Sequence, residues 1–222
     1  MQTATETELI EIEGQTLRIR KSKYPPHESR LLLLIHGFTG DENSMWVFAR
    51  DLPSNYWMVA PRAPYVAEPS GYSWRPAEMS DLGLTGLERL RSVTEDLIRL
   101  IDTYQASVGL DATKPLDALG FSQGAAMCSL LAFLYPDRIR KLGILAGFVP
   151  SSVEALVEQR PLAGKQVFVA HGTQDETVPV DRARSSIKIL EQAGAQVTYC
   201  EDEVGHKLSL TCLHALRKFL AD

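Results

Sequence analysis

Ser122, Asp175 and His206 are three residue types that together make an activated nucleophile, and each falls where the pattern predicts a loop. Ser122 sits in Gly120-Phe121-Ser122-Gln123-Gly124, between the apolar run 116–119 and the apolar stretch 123–134. A serine at a sharp strand-to-helix turn needs small neighbours, and glycines two residues to either side let the chains pass. Such a turn pushes the hydroxyl above the sheet and aims the first free amides of the helix at whatever the hydroxyl attacks. A serine hydroxyl is a weak nucleophile at its ordinary pKa, so a base must take its proton and later return it to the leaving group. His206, after Gly205, is the residue for that step, and Asp175, closing His171-Gly172-Thr173-Gln174-Asp175, would orient its imidazole. The developing oxyanion needs fixed donors, which the amides of Gln123 and of Phe38 in His36-Gly37-Phe38 would supply. This chemistry calls for no metal and no cofactor.

The rival residues have weaker positions. His36 and His171 each precede a glycine at a predicted strand end, which suits support of neighbouring backbone, and His27 and His214 read as surface or packing residues. Among acids, Glu176, Asp181 and Glu203 compete with Asp175; Asp181 opens a predicted helix, where it would cap, and Glu203 is close to His206 in sequence. Met127 and Cys128 lie on the helix after Ser122, where a core role is expected.

The elements that must position these residues alternate along the chain. Residues 7–20 alternate apolar and polar around Glu13-Gly14-Gln15 and predict an edge hairpin with Leu9, Ile12, Leu17 and Ile19 inward. A buried strand over 30–35 runs into the His36 loop, a short helix from Asn43 or Ser44 reaches Asp51, and a strand over 56–60 follows. Residues 61–86 read as an irregular excursion. Leu87, Leu90, Val93, Leu97, Leu100, Ile101 and Tyr104 recur at helical spacing. Beyond the serine turn come strands over 141–145, 166–170 and 196–200 and helices over 153–158, 180–193 and 208–220. Alternating strands and helices predict an α/β fold: a mostly parallel central sheet with helices on both faces, in a single domain over 1–222. In such a sheet reactive positions lie beyond the carboxyl ends of the strands, where the His36 loop, Ser122, Asp175 and His206 are all expected.

Composition narrows the partner. With 23 Lys plus Arg against 28 Asp plus Glu, the formal charge of −5 argues against a nucleic-acid footprint or a polybasic membrane patch. The apolar run 31–35 is too short for a bilayer, so no stable membrane anchor is expected. Cys128, Cys200 and Cys212 are odd in number and lack metal-type spacing, which suits unpaired packing cysteines in a reducing compartment. The acidic stretch 1–13 lacks a basic segment followed by an apolar one, so cytoplasm is the expected location. Monomer and homodimer both stay open.

With these residues in place, the chain resembles the phospholipase/carboxylesterase family of α/β hydrolases, the group that includes the acyl-protein thioesterases and small bacterial esterases, over nearly all its length. Residues 35–42, 120–125 and 171–179 and Gly205-His206 carry the likeness. The resemblance implies the α/β-hydrolase fold, Ser122, Asp175 and His206 as the triad, and the amides of Phe38 and Gln123 as the oxyanion hole. The chain departs at Gly71-Tyr72-Ser73-Trp74-Arg75-Pro76, where many members follow the tryptophan with an aromatic residue and an aspartate. The expected activity is hydrolysis of short- to medium-chain acyl esters, small-molecule substrates, through an acyl-serine intermediate. Thioesters are accessible to the same site, and lysophospholipids rank lower. Tyr72, Trp74 and Met79, with Tyr65, are candidates for an apolar wall over the acyl group. Two other readings are an amide or peptide hydrolase with the same triad, and a binding module of this fold without catalysis. A binding module would be free to lose part of the triad, whereas all three members are present.

Overall fold

A computed structural model of the chain describes residues 6–76 and 84–221. β1 (Glu8–Ile12) and β2 (Gln15–Arg20) form the predicted hairpin, turned at Glu13 and Gly14 with φ of 51° and 77°. Its phase differs from expectation. Leu17 and Ile19 are buried and Ile10 and Ile12 pack on the core, but Leu9 is 54% exposed. In Glu8-Leu9-Ile10-Glu11-Ile12 two apolar residues are adjacent, and the period of two puts Ile10, not Leu9, on the face that Ile12 shares.

β3 (Arg30–Ile35) and β4 (Tyr56–Pro61) pair in parallel, joined by a segment whose only helix is a 3-10 turn at Ser44–Val47. The predicted helix to Asp51 does not form. The Asp41 carboxylate accepts the Asn43 amide and the Ser44 hydroxyl, both at 2.9 Å, and this side-chain turn competes with an α-helical start. Part of the irregular excursion is a two-stranded ribbon, β5 (Tyr65–Val66) and β6 (Tyr72–Ser73). α1 (Leu84–Val108) buries Leu90, Val93, Leu97, Leu100, Ile101 and Tyr104 along the predicted stripe.

β7 (Leu116–Phe121), α2 (Gln123–Leu134), β8 (Ile139–Leu145), β9 (Gln166–Gly172), α3 (Val180–Gln192), β10 (Gln196–Asp202) and α4 (Leu210–Ala221) complete the alternation, with a 3-10 segment at Ser151–Gln159 where a short helix was expected. The sheet has eight strands in the order β1-β2-β4-β3-β7-β8-β9-β10, parallel from β4 to β10 and antiparallel at the hairpin edge.

The leucine run of β3 shows how both faces are served. Leu31, Leu33 and Ile35 belong to one buried cluster with residues of α1, α2 and α3, while Leu32 and Leu34 belong to another with Met45, Phe48 and residues of α4. Residues buried on both faces of a parallel strand need no polar alternation, and each removes about 1.5–3 kcal/mol worth of apolar surface from water. α4 is fastened at its carboxyl end. Lys141 Nζ donates to the Phe219 carbonyl (2.5 Å) and the Tyr56 hydroxyl lies 3.0 Å from that of Leu220, serving carbonyls that the helix itself cannot bond.

The cysteines depart from expectation. Cys200 on β10 and Cys212 on α4 form a disulfide with Cα atoms 5.6 Å apart, and only Cys128 is a buried free thiol. The pair lies 12 positions apart in sequence, and the loop carrying His206 returns the chain on itself between them. Among the described residues no helix is long and apolar enough to cross a membrane.

Candidate active site

Ser122 follows β7 and precedes α2 with φ 53° and ψ −118°, a conformation that costs a non-glycine residue. Its amide donates to the Leu145 carbonyl (2.9 Å), which ties the turn to β8. The two glycines have the roles their spacing predicts. A Cβ on Gly124 would lie 2.1 Å from the Ile35 carbonyl oxygen, and one on Gly120 2.2 Å from the Gly124 carbonyl oxygen. The Ser122 carbonyl accepts the Ala125 amide (3.0 Å) and, more distantly, that of Ala126 (3.3 Å). The amides of Gln123 and Phe38 have no acceptor among the described residues.

Asp175 follows β9 with its side chain fully buried. One carboxylate oxygen accepts the amides of Thr177 and Val178, each at 2.9 Å, and the other accepts His206 Nδ1 at 2.7 Å. Burial alone would raise this carboxyl's pKa. The bonds from Val178, His206 and Thr177 outweigh it and hold the group ionised, below its ordinary value. Because a carboxylate only accepts, the His206 proton sits on Nδ1, and Nε2 is left as the basic nitrogen. The imidazole packs on Phe121, the residue before the serine, with ring centroids 4.9 Å apart. His171 steadies the same turn from below: its Nε2 donates to the Val178 carbonyl at 2.8 Å and lies 3.4 Å from Asp175.

The early glycine loop is held by His36 and Glu42. His36 is buried, and burial lowers its pKa so that it stays neutral. Nδ1 donates to the Gly37 carbonyl (2.7 Å) while Nε2 accepts the Ala63 amide (3.1 Å). Glu42 takes Arg62 in a two-pronged bond, at 2.7 and 2.9 Å, and Arg62 in turn covers the ring of Tyr72. Gln123 contributes its side chain too: its amide oxygen accepts the Trp74 backbone amide at 2.9 Å, and the Trp74 indole donates to the His36 carbonyl at 2.8 Å. Sequence reading assigned none of these buttresses to Glu42, Arg62 or the Gln123 side chain; a charged pair 20 residues apart in sequence carries no periodic signal.

Two cavities meet at Ser122 and Phe38. One, of about 430 Å³, is walled by His206, Phe121, Phe48 and Leu208. The other, of about 320 Å³, lies toward Trp74, Met127, Leu130, Phe148, Val178 and Arg182. Trp74 lines this second cavity. Tyr72 lines neither cavity, because its ring lies under Arg62, and Met79 falls outside the described residues. Met127, expected in the core, is at once buried and part of the second cavity's floor. Of the rival acids, Glu176 and Glu203 are exposed, and Asp181 pairs with Arg184 at 3.3 Å.

Residues 16–222 match the family model described as Phospholipase/Carboxylesterase. The chain belongs to the phospholipase/carboxylesterase family. Among curated relatives, carboxylesterase SOBER1 of Arabidopsis thaliana is 28% identical over 93 residues, which span only 40% of this chain and 40% of that protein. Among solved structures, the Bacillus cereus carboxylesterase covers 94% of this chain and 94% of its own at TM-score 0.77 and 22% identity. A carboxylesterase from Mesorhizobium loti covers 97% and 98% at TM-score 0.77 and 24% identity. The family membership and these likenesses establish the α/β-hydrolase fold, and its strand ends carry the residues described above.

Proposed function

We propose that this member of the phospholipase/carboxylesterase family is a serine carboxylesterase, one domain over 1–222, that hydrolyses short- to medium-chain acyl esters through an acyl-serine intermediate. The observation that carries the reading is the 2.7 Å bond between Asp175 and His206 Nδ1, made where His206 and the strained Ser122 border one cavity. Ser122 Oγ adds to the ester carbonyl as His206 Nε2 takes its proton. The carbonyl oxygen, now an anion, receives the amides of Phe38 and Gln123. Collapse expels the alkoxide, which takes the proton from Nε2 and leaves as the alcohol. Water then repeats the sequence on the acyl-serine and releases the acid. Asp175, ionised throughout, fixes the ring and stabilises the imidazolium.

The protonating group decides which cavity holds which half of the ester. His206 walls the 430 Å³ cavity, so the alcohol departs there, and the acyl chain occupies the 320 Å³ cavity past Gln123 and Trp74. Thioesters fit the same scheme, since the oxyanion is stabilised whatever the leaving atom.

Purified protein and a Ser122→Ala variant on nitrophenyl acyl esters of increasing length test this reading. Turnover by the parent, with a fall of about 10⁴-fold or more in the variant, is the expected result. Full activity in the variant, or turnover of anilides with none of any ester, would overturn it.

A further inference from the structure

Of the described residues lining the acyl-side cavity, those carrying charge are Arg75 and Arg182, and none is a carboxylate. This stands out in a chain of formal charge −5. Three other partly buried arginines are neutralised, Arg62 by Glu42, Arg138 by Asp102 and Arg140 by Asp117, each through two nitrogens, whereas Arg20 lies over Trp46 and donates to the Ala49 carbonyl and the Met58 sulfur. Arg182 has no carboxylate within ion-pair distance among the described residues. Its guanidinium carbon instead lies 3.4 Å from the centroid of the Phe148 ring, and Phe148 is itself a wall of the cavity.

Stacking on an aromatic face fixes the plane of a guanidinium but uses none of its five N–H donors, which point outward along that plane. A planar fork held this way matches a carboxylate, which accepts two parallel bonds. Partial burial lowers the Arg182 pKa, a cost an incoming anion would offset. The remaining wall, Trp74, Met127, Leu130 and Val178, suits a methylene chain running between the ester carbonyl and a charged end.

From this juxtaposition we infer that Arg182, set on Phe148 at the acyl-side cavity, is a specificity-determining residue that selects acyl chains ending in a carboxylate, so that the substrate class is half-esters of dicarboxylic acids. The inference rests on the esterase reading above and narrows it. Its reaction is the same: the half-ester and water give a dicarboxylic acid and the alcohol, with the distal carboxylate unchanged.

The test compares nitrophenyl half-esters of adipic and suberic acid with nitrophenyl hexanoate and octanoate, which match them in chain length but lack the second carboxylate. The parent should favour the half-esters by about tenfold in kcat/KM, carried mainly in KM, and the preference should shrink as sodium chloride is raised. In Arg182→Gln the ratio of half-ester to neutral ester should fall to about one, while Arg182→Lys should restore part of it. Equal or poorer use of the half-esters by the parent, or a preference that survives in Arg182→Gln, would overturn the inference while leaving the esterase reading intact. Absence of turnover on every ester would overturn both.

Discussion

Ser122 follows β7, which has a parallel partner on either side, whereas His206 follows β10, the edge strand with a single partner. The serine turn is located by exclusion: backbone from β3 and α2 crosses it so closely that neither glycine could carry a side chain. The histidine is located by attachment, through one bond to Asp175, one ring contact with Phe121 and a disulfide whose two ends bracket its loop. Only at one point does packing of the first kind reach the second region. A Cβ on Gly172 would lie 2.1 Å from the Val204 carbonyl oxygen, so the histidine loop runs directly across the end of β9. The difference teaches where damage should show: around the serine as lost folding, around the histidine as lost rate in a folded protein.

The sharpest break between the two regions is expected at Asp175. Asp175→Asn keeps the shape of the side chain but inverts the hydrogen-bonding demand on His206 Nδ1, and kcat on nitrophenyl hexanoate should fall by on the order of 10³–10⁴-fold. Near-ultraviolet circular dichroism should stay that of the parent; a collapsed signal would mean that Asp175 holds the fold and not only the ring. Gly124→Ala probes the opposite pole. The added methyl meets backbone, which cannot turn aside as a side chain does, so urea unfolding should reveal a loss of about 3 kcal/mol or more. A soluble, fully active variant with an unchanged midpoint would contradict location by exclusion. Reduction of Cys200–Cys212, or the Cys212→Ser variant, sharpens the comparison from the histidine side. Opening a loop of this length is worth up to about 3 kcal/mol, read as a lower melting temperature, and kcat should drop a few-fold at temperatures where the protein remains folded. An effect on stability with kcat untouched would show that Asp175 and Phe121 alone suffice to hold the ring.

What could be read from the sequence follows the same division. Gly120 and Gly124 are legible because a crossing of chains permits no other residue there, and the run of β3 is legible because both its faces are buried. Asp175 and His206 were placed by chain order and by their positions after strands, and the structure brings them into contact. Local pattern failed where a partner from elsewhere decides. The choice between Leu9 and Ile10 depends on which face β2 turns to the core, and the 3-10 turn at Ser44 depends on the Asp41 carboxylate. Counting cysteines cannot show that a loop folds Cys212 back onto Cys200. Arg182 looks like any exposed residue in the first turn of a helix; its setting comes from Phe148, 34 positions earlier, and no periodicity links the two.

Strand order also imposes a sequence in time. β7 is flanked by β3 and β8, so everything that shapes the serine turn is present once residues 30–145 have associated. Asp175 and His206 arrive with β9 and β10, and α4 must then close back across the sheet to Tyr56 on β4 and Lys141 on β8. Pairings between segments so far apart in the chain form late, because each must first overcome the entropy of closing a long loop. A growing or refolding chain therefore forms the Ser122 turn before Asp175 and His206 reach it, and the esterase activity proposed above should appear only after β9 and β10 have joined the sheet.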